Sequence, residues 1–232
     1  MSKFSYLDIG AHDPFIISNT GLFYEKGCRG INVDADPVRI KRFIEARPED
    51  KNINIGIGTE EGTFPFYSVG DICSLKIEEI QWWIDKWGTK EEIKRQEIHV
   101  IKLEHLIRDY CYGEFPDYMS MDIEGKDYEV LKDCDLSSNG PLVLTVETAI
   151  RDYYDLNNEK MIALLSNMKY EPIVKFGSNI TFARKDIFYK AAYGMGKFEL
   201  MKDINVSVIV PIYKVERYLD ECLKTIVRQT SD

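Results

Sequence analysis

The sequence predicts an α/β fold whose mostly parallel sheet ends in one reversed strand. An apolar run over residues 4–9 ends in Gly10 and precedes a helical segment, which is the strand–turn–helix unit of open α/β sheets. Apolar, strand-like runs then alternate with helical stretches along the chain. Only Gly177 and Ser178 separate the last two strands, so these strands form an antiparallel hairpin, because parallel neighbours need a longer crossover.

The first part of the chain supplies three strands and two helices. We expect Ser18 to cap the first helix and Gly27 to end it in a left-handed conformation. Asp36 is expected to cap the second helix, with Pro37 in its first turn. The predicted strands cover residues 4–9, 29–33 and 52–57, and the predicted helices cover 19–26 and 37–46.

The middle of the chain interrupts this alternation. The predicted elements are a short strand (63–67), a helix (77–87), a charge-rich helical turn (89–96), a strand (98–103) and a helix (104–110). Two interpretations of the insert over about 68–97 stay open: it covers the ligand crevice, or it is a decoration without ligand contact. Regular alternation then returns, with strands at 117–122, 141–147, 170–176 and 179–184 and helices at 125–134 and 157–168.

Composition excludes several classes of protein. The chain has 232 residues, of which 44% are hydrophobic, so it can bury the core of a large α/β domain. Its net charge of −9 argues against a nucleic-acid-binding surface. No apolar stretch approaches the roughly 20 residues that span a bilayer, and we find no signal peptide. Five cysteines without a CxxC pair are typical of reduced thiols, so we expect a cytoplasmic protein.

Ligands of such a sheet bind where loops leave the carboxyl ends of the strands. The first loop lacks the second and third glycines of the dinucleotide fingerprint, and Asp13 would repel a pyrophosphate, so a nicotinamide-dependent oxidoreductase is disfavoured. S-adenosylmethionine has no phosphate and carries cationic groups that Asp8 and Asp13 can pair with. Asp34 lies 24 positions after Gly10 and is placed to accept hydrogen bonds from ribose hydroxyls. These features favour the methyl donor.

Four stretches resemble the FkbM-type methyltransferases, a branch of the class I S-adenosylmethionine-dependent fold. They are Tyr-Leu-Asp-Ile-Gly-Ala (6–11), Ser-Asn-Thr with Phe-Tyr-Glu-Lys-Gly (18–27), Gly-Ile-Asn-Val-Asp-Ala-Asp-Pro (30–37) and Met-Asp-Ile-Glu-Gly-Lys-Asp-Tyr-Glu-Val-Leu (121–131). The last is the most specific, and the first departs from the family in having His12 after Gly-Ala. The resemblance covers about residues 4–184 and implies a Rossmann-like sheet of seven strands with helices on both faces.

The resemblance also implies methyl transfer to a hydroxyl, commonly on a sugar or a polyketide. The residues that it assigns to the donor are Asp8, Gly10, Ala11, His12, Asn19, Thr20, Asp34, Ala35, Ile57 and Asp122.

Two carboxylates lie where the predicted strand 117–122 leaves the sheet. Asp122 and Glu124 would face the same side if the strand continued through them, so one can take the proton of an acceptor hydroxyl while the other orients the acceptor. Glu147, at the end of the next strand, and His12 are further catalytic candidates. As alternatives, Glu124 caps the following helix and Glu147 is a loop carboxylate without a catalytic role.

A metal-dependent alternative is a magnesium ion on the oxygens of Asp122, Glu124 and Glu147. A second alternative, of another class, is a catalytically silent methyltransferase-like module.

The end of the chain resembles a different enzyme. Val206–Tyr213 and the helix after it are similar to the opening of family 2 glycosyltransferases, with a Val-Pro-Ile-Tyr turn at 210–213 followed by Lys214. We therefore expect a methyltransferase domain (1–185), a helical linker (186–204) and the truncated start of a glycosyltransferase domain (205–232). Such a fusion suggests a sugar or glycan acceptor in bacterial surface polysaccharide synthesis, and association with the membrane through the glycan assembly machinery. The exposed apolar strand of the tail could also pair with a second copy of the chain.

Overall fold

The computed structural model describes residues 4–70, 72–88, 90–148 and 157–187. The chain divides into two units, Met1–Arg184 and Lys185–Asp232, and all the elements given below belong to the first unit. The predicted linker and the predicted glycosyltransferase start lie, apart from residues 186 and 187, outside the described residues.

The described residues form strands and helices in regular alternation, except in the middle of the unit. The strands are β1 (Ser5–Ile9), β2 (Arg29–Asp34), β3 (Lys51–Asn54), β4 (Gly56–Ile57), β5 (Gly62–Val69), β6 (Ile72–Ser74), β7 (Lys94–Ile101), β8 (Tyr118–Met121), β9 (Val143–Glu147), β10 (Tyr170–Phe176) and β11 (Asn179–Arg184). The helices are α1 (Gly21–Glu25), α2 (Pro37–Ala46), α3 (Ile77–Trp87), α4 (Leu103–Tyr110), α5 (Asp127–Lys132) and α6 (Asn158–Asn167). None of these helices is long and apolar enough to cross a bilayer.

Seven strands form the larger sheet, in the order β10-β11-β9-β8-β1-β2-β3. β1 pairs in parallel with both β2 and β8, and β9 continues the parallel pairing beyond β8. β11 runs antiparallel to β9 and to β10, so the hairpin predicted from Gly177 and Ser178 is confirmed. The chain builds outward from β1 in one direction to β3 and then in the other direction from β8. This reversal of strand order beside β1 creates a crevice at the carboxyl ends of the strands.

Burial explains why the central strands are so apolar. All four residues of β8 are buried, and in β9 only the first residue, Val143, is partly exposed, because both faces of these strands are covered. Leu7, Met119 and Leu144 are completely inaccessible to solvent and pack in one core with residues of α4, α5 and α6. This core fixes the register of the strands whose ends form the crevice.

The insert forms a second, smaller sheet in the order β4-β7-β5-β6. β5 pairs antiparallel with both β6 and β7, and β4 pairs in parallel with β7. Its own apolar cluster consists of Phe66, Cys73, Ile98 and Val100. A second sheet was not predicted from the sequence.

Two of the sequence predictions in this region are wrong. The predicted strand 52–57 is divided between the two sheets, because Asn54 Nδ2 donates to the carbonyl oxygens of Asp34 (3.0 Å) and Ala35 (2.9 Å) and ends the pairing with β2. The predicted helical turn over 89–96 is absent from the described residues there, and Lys94 instead begins β7. Pairing with β5 outweighs the helical preference of these charged residues.

Capping was predicted correctly for α2 and for the end of α1, where Gly27 follows the C-cap Lys26 with φ +85°, but not for the start of α1. Asp36 accepts a hydrogen bond from the Val38 amide (2.8 Å), and Pro37 occupies the first turn. α1 begins at Gly21 instead of near Ser18, because the Ser18 hydroxyl accepts from the Gly21 amide (3.1 Å) within the preceding turn.

Candidate active site

A crevice opens at the carboxyl ends of β1, β2 and β8, and the insert closes its other side. It contains about 890 Å³ of space, part of which is open to solvent. The larger sheet and its loops contribute Ile9, Gly10, His12, Val33, Asp34, Ala35, Arg39, Ile55, Asp122, Ile123, Glu124 and Lys126. The smaller sheet and α3 contribute Gly56, Ile57, Phe66, Cys73, Ser74, Leu75, Lys76, Glu79 and Ile98. The insert therefore forms a wall of the crevice and is more than a decoration.

The floor of the crevice is formed by two loops in direct contact. The Gly10 amide donates to the Val33 carbonyl (2.9 Å), and the Asp122 amide donates to the Ile9 carbonyl (2.9 Å). Gly10 has φ +74°, and a Cβ atom at this position would overlap the Asp122 carbonyl oxygen. Only glycine satisfies both the backbone conformation and the close approach.

Asp34 is held rigidly at the end of β2. Its carboxylate accepts hydrogen bonds from the backbone amides of His12 (3.0 Å) and Asp36 (2.8 Å), and the Arg39 guanidinium lies 3.7 Å away. Burial raises the pKa of Asp34, while Arg39 and the two amides oppose that rise. A carboxylate has about four acceptor positions, so two remain for a ligand in the crevice.

Asp122 and Glu147 form a hydrogen-bonded pair of carboxyl groups. Glu147 is 9% exposed and also accepts from the Ser178 hydroxyl (3.2 Å). Burial first, and then the charge of Asp122, raise the pKa of Glu147 far above that of an ordinary glutamate. Glu147 therefore carries the shared proton at neutral pH and donates it to the Asp122 carboxylate.

Glu124 lies in the turn after β8 and not on a continuation of the strand. β8 ends at Met121, and Glu124 has φ +56°, so the continuation of the strand from which their shared face was predicted is absent. The turn instead aims the Glu124 amide at the Asp122 carboxylate and places both side chains on the crevice. Glu124 does not cap α5, whose N-cap is Lys126.

Desolvation by the crevice walls, followed by the charge of Asp122, raises the pKa of Glu124 to about 7. The residue as a whole is exposed at the mouth of the crevice, so water moderates this rise.

Asp127 stabilises this turn through hydrogen bonds from the turn's backbone. It is 1% exposed, and the Ile123 amide donates to both of its carboxyl oxygens (3.3 and 3.4 Å). Burial and the neighbouring charge of Asp122 raise the pKa of Asp127. No sequence signal distinguished this aspartate from an ordinary first-turn helix acid.

A second buried network of hydrogen bonds supports the segment between β1 and α1. Thr20 Oγ1 donates to Asp8 Oδ2 (2.5 Å) and accepts from Arg47 (2.9 Å), and Arg47 also contacts the carbonyl oxygen of Pro14 and the Ser18 hydroxyl (2.8 Å). Burial raises the pKa of Asp8 to about 7 despite the Thr20 hydrogen bond. Arg47, which is completely buried, was not singled out in the sequence.

The residues predicted to contact the donor fall into two groups. Gly10, His12, Asp34, Ala35, Ile57 and Asp122 line the crevice. Asp8, Ala11, Asn19 and Thr20 are not among the lining residues. Asn19 donates to the Ser120 hydroxyl (2.9 Å). Of the catalytic candidates, His12, Asp122 and Glu124 line the crevice, and Glu147 reaches it through Asp122.

Asp13 was expected beside the ligand, and this expectation is wrong. Its carboxylate accepts from the amides of Phe15 (3.0 Å) and Ile16 (2.8 Å), with Arg42 at 3.9 Å, so it stabilises a local turn outside the crevice.

The magnesium alternative is not supported. Within the described residues, no group of three or more His, Cys, Asp or Glu side chains is arranged to hold a metal ion. Asp122 and Glu147 instead face each other across a shared proton.

Comparison with known proteins identifies the family. The methyltransferase FkbM domain matches residues 8–172, which is well over half of the chain. No curated protein sequence matches the chain significantly.

Solved structures show only distant likeness. A TehB-like S-adenosylmethionine-dependent methyltransferase from Corynebacterium glutamicum is 11% identical, with a TM-score of 0.40 over 80% of this chain and 83% of that one. The fibrillarin pre-rRNA processing protein of Methanococcus jannaschii is 9% identical, with a TM-score of 0.40 over 78% of this chain and 65% of that one. The match over residues 8–172 and the sheet order together lead to one conclusion: this chain belongs to the FkbM methyltransferase family.

Proposed function

We propose that this protein is an S-adenosylmethionine-dependent O-methyltransferase that acts on a sugar hydroxyl. Methyl transfer follows from membership of the family. The observation that supports oxygen as the acceptor atom is the presence of two carboxyl groups, Asp122 and Glu124, on the wall of the crevice. Transfer to a hydroxyl requires a group that accepts its proton, and carboxylates at this position supply one.

The crevice fits the methyl donor in two respects. Apolar side chains such as Val33, Ile57 and Phe66 offer a surface against which an adenine ring can pack. Asp34, with two acceptor positions still available, would bind the ribose hydroxyls. The donor supplies a methyl carbon that is already activated by a positively charged sulfur.

Glu124 is our candidate for the general base. A pKa near 7 lets the carboxylate accept a proton at neutral pH while remaining basic enough to assist the reaction. As the oxygen–carbon bond forms and the sulfur–carbon bond breaks, the hydroxyl proton passes to Glu124. Asp122 is placed to orient the acceptor, and its negative charge is kept in position by the proton on Glu147 and by the Glu124 amide.

The setting of this reaction is proposed from the tail of the sequence. The resemblance of residues 205–232 to a glycosyltransferase start suggests a bifunctional protein that modifies a bacterial surface glycan or its precursor. We propose that such a protein works on the cytoplasmic side of the membrane, with the glycosyltransferase domain as its partner.

Donor binding is tested by calorimetric titration of S-adenosylhomocysteine into the chain. We expect micromolar affinity, weakened at least about tenfold in Asp34→Ala, because a charged hydrogen-bond partner is lost. Asp36→Ala is the matched control: it removes an acid two positions away that caps α2, so it should reduce stability by about 1 kcal/mol and leave donor affinity unchanged. Absence of binding to the folded wild-type chain would refute the proposal and favour a catalytically silent module.

The acceptor atom is tested with a ¹³C-methyl donor and a panel of nucleotide sugars and simple glycosides. We expect the label in the O-methyl region of the carbon spectrum. Label on nitrogen or carbon would show that the proposed acceptor chemistry is wrong.

A further inference from the structure

Two lysines that the sequence did not single out lie on the wall of the crevice. Lys76 precedes α3 and Lys126 precedes α5, and both line the crevice together with Glu124. Their ammonium groups are close enough to interact directly, although the elements that carry them are about fifty residues apart in sequence. In a chain of net charge −9, two adjacent cations at the mouth of a crevice require an explanation.

Only one of the two lysines has an ion-pair partner within the described residues. Glu79 lies 3.7 Å from Lys76 and forms an ion pair with it. Lys126 has no carboxylate at ion-pair distance in the described part of the chain, and Glu79 and Glu129 act on it from farther away. Within the described residues, Lys126 is therefore a cation on the crevice wall without an ion-pair partner. Burial, and then the nearby Lys76 ammonium, lower the pKa of Lys126, which shows the cost of holding two like charges together.

Lys126 follows Glu124 by two residues in the turn after β8, and both line the crevice with Lys76, so the lysine pair lies near the proposed general base. The charge of Glu79 acts on Lys126 and also raises the pKa of Glu124. The acid proposed for the donor ribose, Asp34, is instead paired with Arg39 on α2. An anion held between Lys76 and Lys126 would therefore lie beside the reacting hydroxyl and away from the ribose.

We propose that Lys76 and Lys126 bind an anionic group, a phosphate or a carboxylate, on the acceptor of methyl transfer. This inference rests on the proposed function, since it specifies the acceptor of the same site. Lysine binds such groups as a point charge, and two ammonium groups side by side match the two or three oxygens of one anion. The acceptor is then a sugar that carries a phosphate or an acidic group, and not a neutral sugar.

The test uses the chain saturated with S-adenosylhomocysteine and labelled with ¹³C at lysine. Inorganic phosphate and acetate are titrated separately at constant ionic strength, so that the two anions are distinguished while the lysine Cε resonances are followed. We expect saturable shifts at Lys76 and Lys126. In Lys126→Gln, the affinity reported by Lys76 should fall at least about fivefold. Lys132→Gln removes an exposed lysine from α5 and should change nothing.

Three outcomes would overturn the inference. Small, linear shifts of equal size at all lysines would show that there is no anion site. Equal affinity in wild type and Lys126→Gln would show that this pair does not form it. Weaker binding of S-adenosylhomocysteine itself in Lys126→Gln would assign the lysines to the donor carboxylate. S-adenosylhomocysteine is titrated first, without added anion. Absence of binding in that titration would refute the proposed function and is thereby distinguished from absence of an anion site.

Discussion

Replacement of Glu147 by glutamine tests the shared proton of the Asp122–Glu147 pair. The glutamine side chain would keep nearly the same shape and would donate an amide N–H to Asp122 where the protonated glutamate donates an O–H. Because Glu147 holds its proton in the folded protein up to a pKa of about 10, while an unfolded glutamate loses it near 4.5, wild type binds one more proton when folded between these two values. Its stability therefore falls as the pH rises through this window.

The size of the effect follows from the difference of one proton. Each pH unit within the window removes about 1.4 kcal/mol from the free energy of unfolding, so the contribution between about pH 7 and pH 9 is about 3 kcal/mol. Glu147→Gln lacks this contribution. We expect it to be close to wild type in stability near pH 5 and to gain about 2–3 kcal/mol relative to wild type between pH 7 and pH 9.

Urea unfolding followed by circular dichroism at both pH values measures this difference. Glu114→Gln, which removes one carboxyl group from an exposed position, is the matched control and should follow wild type. If Glu147→Gln and wild type lose the same stability between pH 7 and pH 9, Glu147 is ionised in the folded protein and the shared proton is refuted.

Three further changes test other parts of the site. Gly10→Ala should lower the free energy of unfolding by about 1–3 kcal/mol more than Gly113→Ala, which has a similar positive φ but open space around it, and should weaken S-adenosylhomocysteine binding in calorimetry. Thr20→Val removes the hydrogen bond to buried Asp8 and should lower the free energy of unfolding by about 1–3 kcal/mol in urea unfolding. The loss should be larger at pH 8 than at pH 6. Without this hydrogen bond the pKa of Asp8 in the folded protein rises above about 7, so at pH 8 the folded variant keeps a proton that the unfolded chain releases. Glu124→Gln should lower kcat/KM at least about a hundredfold and abolish the rise of the rate with pH through about 7, since the base acts when deprotonated.

Each of these three has an outcome that contradicts it. Equal stability of the two glycine variants would mean that the first loop is not in close contact with the turn after β8. A pH-independent loss in Thr20→Val would mean that Asp8 does not titrate in this range. A Glu124→Gln variant that keeps the wild-type pH profile would place the general base elsewhere.

The sequence by itself determined the framework of the site. Asp34 and Asp122 follow two strands of a parallel sheet, and such strands bring their carboxyl ends to one edge whatever the rest of the chain does. The loop of two residues at Gly177 and Ser178 permits only a hairpin, and Asp36 before Pro37 specifies a capped helix. Spacing, capping and loop length act over a few residues, so they can be recognised in a sequence.

The tertiary structure alone decided which charged groups meet. Asp122 pairs with Glu147 and not with Glu124, because β8 ends at Met121 and a left-handed residue redirects the chain. Lys76 and Lys126 come together because the insert folds into a second sheet against the crevice. These contacts join residues far apart in the chain. They depend on strand register and packing, which local patterns of hydrophobicity do not specify. The proton shared by Asp122 and Glu147 and the proposed anion site could therefore be inferred only from the folded structure.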